Sequence, residues 1–271
     1  MKTIYLPITS NKLEYLAKAG IPHTAYFTNQ STHIKLIDQP IAYFLAPSFL
    51  KKSDLGFIKK VKDFAKKTDL PQTGVNSSDI SYYRFNSIPE QTGEVMEIDV
   101  NKAYWELAYR YGYISGEIYQ AGLDTEKIGK LTRLVALGSL ASKKKVFQFD
   151  GQNYHPIGYQ FDPVLRSYFF HVSLELDLIM NRIFTDIGES ALFYWFDAFF
   201  VSPEVAGYIE SVLNREGLGI KKQPIREVKK IKSNSFEYLK ISDLDKGKPR
   251  VRTFTIPNQT LNLNLLSQYT V

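Results

Sequence analysis

Three carboxylates carry the chemistry that this chain can be read for. Glu97 and Asp99 stand two apart in the alternating run Met96 to Asn101. On a strand such a pair points to one side. Like charges there repel by about 1 kcal/mol at 4 Å in water, and by more where water is scarce. A chain keeps the pair where it is solvated, matched by basic groups, or holding a cation. Asp197 is the third, the one acid inside the apolar run Ala191 to Val201. Buried, it needs a partner or a metal; at a hairpin tip it needs neither. With no cysteine and only four histidines, none at ligand-like spacing, thiolate and imidazole metal sites are not expected. No P-loop, dinucleotide fingerprint or nucleophile elbow is present.

The elements that must position these acids follow from periodicity. Met96, Ile98 and Val100 alternate with the polar positions and predict a strand, and Ala103, Leu107, Ala108 and Tyr111 then predict a helix. Ala191 to Val201 reads as a β-hairpin. Before them, residues 2 to 50 read as several short strands, and residues 54 to 67 as a helix with Leu55, Ile58, Val61 and Phe64 on one stripe and Asp54 as its cap. Residues 124 to 144 read as one helix capped by Asp124 or Thr125, carrying Lys130 and Arg133 one turn apart and Gly138 in its interior. Gly138 there marks either ordinary packing or a close approach. Ser167 to Ile187 reads as a long helix whose Glu175 and Asp177 face solvent or a basic neighbour. A helix after Pro203 ends at Gly217.

Charge is unevenly placed. The net charge is +6, yet residues Lys221 to Arg252 hold eleven Lys or Arg against four acids, so the basic excess lies in that one segment. This is the footprint a phosphate backbone attracts, or a solvated basic tail. No apolar run is long enough for a transmembrane helix and no signal-peptide core is present, which sets the expectation of a cytoplasmic protein away from membranes.

The order strand with Asp99, basic helix, long helix, hairpin with Asp197, helix resembles the palm and fingers of family B DNA polymerases, most of all the protein-primed phage type. The resemblance covers roughly residues 94 to 252. The family's first motif is an Asp with a Tyr five positions on, matched by Asp99 to Tyr104. Its second is a basic residue followed by Asn-Ser-x-Tyr-Gly, against which Gly138 to Ser142 keeps Ser139 and Leu140. Its third is Tyr-x-Asp-Thr-Asp-Ser, of which Phe193 to Ala198 keeps the second Asp as Asp197. The first motif is the most specific; the other two are degenerate.

The resemblance implies an α+β fold: a palm-like antiparallel sheet with helices on one face, and a small N-terminal α+β layer. The expected regions are 1–79, then a palm with a short fingers helix over 80–220, then a basic, thumb-like 221–271. It implies a minimal DNA polymerase or replication initiator without an exonuclease, using Mg2+ or Mn2+ held by Asp99, Asp197 and the Val100 carbonyl. Glu97 stands near enough to serve as an accessory acid. Tyr104 would be the sugar gate, and Lys130, Arg133 and Ser139 would meet the dNTP. DNA would run along Lys221, Lys222, Lys229, Lys230, Lys232, Tyr238, Lys240, Lys248, Arg250 and Arg252. A priming protein is a further partner the resemblance brings, as is a phage or mobile-element origin. The alternatives that share these residues are a degenerate palm that binds DNA or a replication partner without catalysis, and a metal-dependent nuclease.

Overall fold

A computed structural model describes residues 1–28, 31–47, 50–68, 70–86, 92–232, 235–244 and 250–255. Along the chain the elements begin with β1 (Lys2–Pro7), α1 (Lys12–Lys18), β2 (His23–Phe27), β3 (Thr32–Leu36), β4 (Ile41–Ala46) and α2 (Lys52–Lys67). Next come β5 (Tyr83–Phe85), β6 (Val95–Val100), α3 (Ala103–Arg110), α4 (Gly116–Leu123), α5 (Lys130–Gly138), β7 (Lys144–Phe149) and β8 (Tyr154–Gln160). The last are α6 (Pro163–Ile187), β9 (Ala191–Trp195), β10 (Ala198–Val201), α7 (Ala206–Arg215), β11 (Ile220–Lys232), β12 (Ser235–Lys240), α8 (Ile241–Leu244) and β13 (Val251–Thr255). The fold is α+β. No helix among the described residues is long and apolar enough to cross a membrane.

Two compact units share the chain, and each draws on two stretches of it. One takes Met1–Gly74 and Gly112–Phe169, the other Val75–Tyr111 and Phe170–Val271. The crossing after Gly74 lies five residues before the expected boundary at 79, but residues 112–169 join the first unit and do not continue the second.

The first unit is built on a sheet of order β1-β4-β3-β2-β7-β8. Among the described residues only β1 and β4 pair in parallel, which two strands so far apart in sequence can do. Alternation sends Ile34, Leu36 and Leu45 into a core with Leu16 of α1, so α1 covers that face. In α2 the buried stripe is Asp54, Phe57, Val61 and Ala65. The expected stripe of Leu55, Ile58 and Phe64 is only half-buried, because Asp54 itself turns inward. Asp54 caps from the third helical position: it accepts the Lys51 N–H at 2.7 Å and the Thr132 hydroxyl of α5 at 3.0 Å.

The single helix expected over 124–144 is broken. The Asp124 carboxylate accepts the N–H groups of Glu126 and Lys127 at 3.2 and 3.3 Å, and this local turn competes with helix. Gly138 is the last residue of α5, and nothing lies within 4 Å of where a Cβ would be, so no close approach explains it.

The second unit holds an antiparallel sheet of order β13-β12-β11-β6-β10-β9-β5, with β6 at its centre. Ile98, Phe199 and Tyr194 stand in register on one face, all essentially buried, and α6 covers it through Phe184, whose ring lies 5.6 Å from that of Tyr194. The opposite face carries Val95, Phe200, Phe193, Ile225 and Phe236 in a core of its own. Phe193 of β9 and Phe236 of β12 are 6.3 Å apart although three strands separate them. In a flat sheet those strands would stand about 19 Å apart, from four strand spacings. The sheet therefore curls until this face closes on itself.

Asp177 does not face solvent. It is buried on α6 and accepts the Ser81 N–H at 3.0 Å and the Tyr194 hydroxyl at 2.8 Å. Burial pushes its carboxyl above the usual range, and these donors pull the other way.

Candidate active site

Asp99 sits near the end of the central strand. In register it faces Ala198 on β10 and Lys221 on β11. Just beyond it the strand stops. The Asn101 N–H is taken by the Gly219 carbonyl at 2.7 Å, and Lys102 adopts a left-handed φ of 55°. A non-glycine residue there costs on the order of 1 kcal/mol or more, so the strand-to-helix turn is held by its surroundings. Ala103 then starts α3.

Asp197 lies in the two-residue loop between β9 and β10. Phe196 supplies the left-handed conformation such a tight loop needs, with φ 54°, and its N–H is held by the Tyr82 carbonyl at 2.7 Å. The Val100 N–H donates to the Asp197 carbonyl at 2.8 Å. That bond sets Asp197 against Val100, one step along from the Asp99–Ala198 pair. Strand spacing and rise put the two aspartate Cα atoms about 6 Å apart. Asp99 lies on the face it shares with Glu97, whereas Asp197, outside the ladder, is not bound to the alternation of either strand.

Tyr104, in the first turn of α3, joins them. Burial pushes its phenol far above the ordinary tyrosine range, and the negative charge of Asp197 adds to the shift, followed by Tyr82 and Asp177. Asp99, Asp197 and Tyr104 thus come from three elements to one end of the second unit's sheet. Val100 is buried beside them.

Glu97, expected near enough to serve as an accessory acid, is taken up within the sheet. It is buried and forms an ion pair with Lys240, also buried, whose ammonium donates to Gln223 at 2.7 Å. Lys240, expected along DNA, is thereby part of the scaffold. The pairing of β11 to β6 brings it there: Gln223 is opposite Glu97, and Ile225 is opposite both Val95 and Lys240. The alternation of Glu97 with apolar neighbours signalled an acid on a strand; its partner became visible only with the strand order.

The other basic positions differ in exposure. Lys221, Lys229, Lys232 and Arg250 are exposed, while Lys230, Tyr238 and Arg252 are half-buried. Lys222 is exposed and pairs with Glu210 at 2.6 Å. Lys248 lies outside the described residues. The segment is no tail: β11, β12 and β13 extend the central sheet.

Lys130, Arg133 and Ser139 belong to the first unit. Lys130 is exposed, but Arg133 is buried and its guanidinium donates to the Gly122 carbonyl of α4. The two therefore do not present a common face to a phosphate. The Ser139 hydroxyl donates to the Ala136 carbonyl at 2.7 Å, closing the end of α5.

Asp177 and Tyr82 were not singled out from sequence as parts of this end of the sheet. The Ser81 N–H bonded to Asp177, and the Phe196 N–H bonded to Tyr82, fix the hairpin tip to α6 and to the strand before it. No family model matches the chain, and no curated protein sequence matches it.

Proposed function

We propose that the second unit is a minimal nucleotidyltransferase, extending a DNA strand from dNTPs at Asp99 and Asp197. The observation that carries this is the Val100 N–H bond to the Asp197 carbonyl, which together with the Asp99–Ala198 register joins two acids remote in sequence. Two carboxylates and a strand-end carbonyl are a donor set that suits Mg2+ or Mn2+, which keep waters and phosphate oxygens as further ligands. Such ions, when bound, neutralise phosphate charge and hold attacking and leaving oxygens in line.

The chain's own residues supply the rest. Tyr104, its phenol pushed up by burial and by the Asp197 charge, offers a wall beside Asp197 against which a sugar can be measured. Lys221, opposite Asp99, places an exposed ammonium at the mouth of the site for phosphate oxygens. Lys229, Lys232 and Arg250 give a backbone-tracking surface whose hold weakens steeply with salt.

A second reading is a non-catalytic module that binds DNA through the same basic strands. It is favoured by the closed aromatic face and by Lys240 locking Glu97, both of which make this sheet more self-contained than an open palm. One assay separates them: labelled primer-template, dNTPs and magnesium or manganese. Extension that is lost in both Asp99→Asn and Asp197→Asn supports the transferase. No extension with intact DNA binding supports the module, and metal-dependent shortening of the primer points to a nuclease using the same pair.

A further inference from the structure

A different chemistry is laid out on the first unit. The face of its sheet opposite α1 carries one ring from each of four neighbouring strands, Tyr5, Phe44, His33 and Tyr26, paired in register across β1, β4, β3 and β2. Their centroids follow one another at 6.0, 6.1 and 5.7 Å. None of the four is fully buried, and Tyr5 at one end is 50% exposed. Alternation produces the row: Ile34 and Leu45 point to α1, so their neighbours His33 and Phe44 point away.

Amines gather at the other end of this row. The Lys35 and Lys144 ammonium groups stand 5.2 and 5.9 Å from the centroid of the Tyr26 ring. Lys62 and Lys66 of α2 reach the same neighbourhood, since Lys144 is felt by both. The acid felt there is Asp162, 3.7 Å from Lys66. Lys62, Lys144 and His33 are each depressed by burial first and then by neighbouring lysines. Folding concentrates like charges here at a cost, and an anion removes that cost.

We propose that this face of the first unit binds single-stranded nucleic acid, with phosphates on Lys35 and Lys144 and bases stacked along the ring row towards Tyr5. Phosphate needs cations held in place, and two amines fixed over one ring provide them. Bases offer π-faces to a row of rings only when unpaired, which excludes a duplex, whose base faces are stacked away. An acidic protein surface would use the lysines and leave the rings without a role. The site is separate from Asp99 and Asp197 and does not depend on their activity.

The test is fluorescence anisotropy of the full chain with a labelled 15-mer of dT, across a salt series. Lys35→Ala with Lys144→Ala is expected to weaken binding about tenfold and to flatten the log–log salt slope by about 1.4, from two lost phosphate contacts on a single strand. Lys35→Arg with Lys144→Arg is expected to retain binding, which shows that charge and not folding is at issue. Tyr5→Ala is expected to weaken binding about fivefold with the slope unchanged. Unchanged affinity and slope in the double alanine variant overturn the proposal. So does a loss, in the double alanine variant, of binding to a 15-base-pair duplex or to poly-glutamate as large as its loss of binding to the dT 15-mer.

Discussion

Two clusters of charge, one in each unit, are handled in opposite ways. In the second, Glu97 meets Lys240 deep in the sheet, and Asp177 receives donors from Ser81 and Tyr194. In the first, Lys35, Lys62, Lys66 and Lys144 crowd together with Asp162 as the acid felt among them. Charges satisfied from within serve to fix strand register and hold elements together. Charges brought together against their own repulsion are the ones for which an outside anion is proposed. The difference also sorts the basic residues of the chain: Lys240 is scaffold, whereas the half-buried Lys35 and Lys144 are the ones proposed to meet an anion.

The sharpest way to break this contrast is to remove one partner of the Glu97–Lys240 pair. Lys240→Met leaves a carboxylate in an apolar sheet, and Glu97→Leu leaves a buried ammonium. Each is expected to lower stability by about 3 to 5 kcal/mol in urea denaturation, whereas Glu97→Leu with Lys240→Met together is expected to recover most of the loss. Additive losses in the double variant would mean that the two charges do not act as a pair, and the scaffold reading of Lys240 would fail.

Asp177 comes next. Asp177→Ala removes the acceptor of the Ser81 N–H and the Tyr194 hydroxyl and is expected to cost about 2 to 3 kcal/mol. The loss should loosen the Tyr82–Phe196 contact at the hairpin tip, read as faster amide exchange at Phe196. The carboxyl's raised folded-state pKa has a definite sign. Its protonated form is favoured by folding, so its contribution to stability is full below the unfolded aspartate value and is lost as pH rises through the folded value. Between those values, the stability gap between the natural chain and Asp177→Ala should narrow as pH rises.

How far these features were legible in sequence follows the range of the interactions. The strand before Asp99, the helix after it, the hairpin about Asp197 and the α6 helix are set by local periodicity and were readable. The helix over 124–144 was misread because the Asp124 side chain closes a local turn within three residues, which periodicity does not register. The surroundings of Glu97, left open between solvent, basic groups and a cation, and of Asp177, expected to face solvent or a basic neighbour, could not be read because their partners, Lys240 and Tyr194, come from other elements. The ring row on the first unit was invisible for the same reason: Tyr5, Phe44, His33 and Tyr26 align only once the order β1-β4-β3-β2 exists. The acids proposed for catalysis were found from residue type, but their nearness rests on the β6–β10 register, which no local pattern states.

The smallest effect has the opposite sign and probes the first unit's half of the contrast. Lys62 is depressed to about 8, first by burial and then by Lys144 and Lys66, with Asp162 pulling it back up. A lysine of depressed folded-state pKa burdens the native state fully below that value. Between about 8 and the ordinary 10.5 the unfolded chain binds the extra proton, so the natural protein gains stability as pH rises through that window. Lys62→Met keeps the length of the apolar stem and removes the charge. At pH 7, without nucleic acid, it is expected to raise stability by about 1 kcal/mol, an advantage that shrinks towards pH 10. A destabilised Lys62→Met at pH 7 would show that Asp162 outweighs the lysines around it, and the first unit would then satisfy its charges from within as the second does.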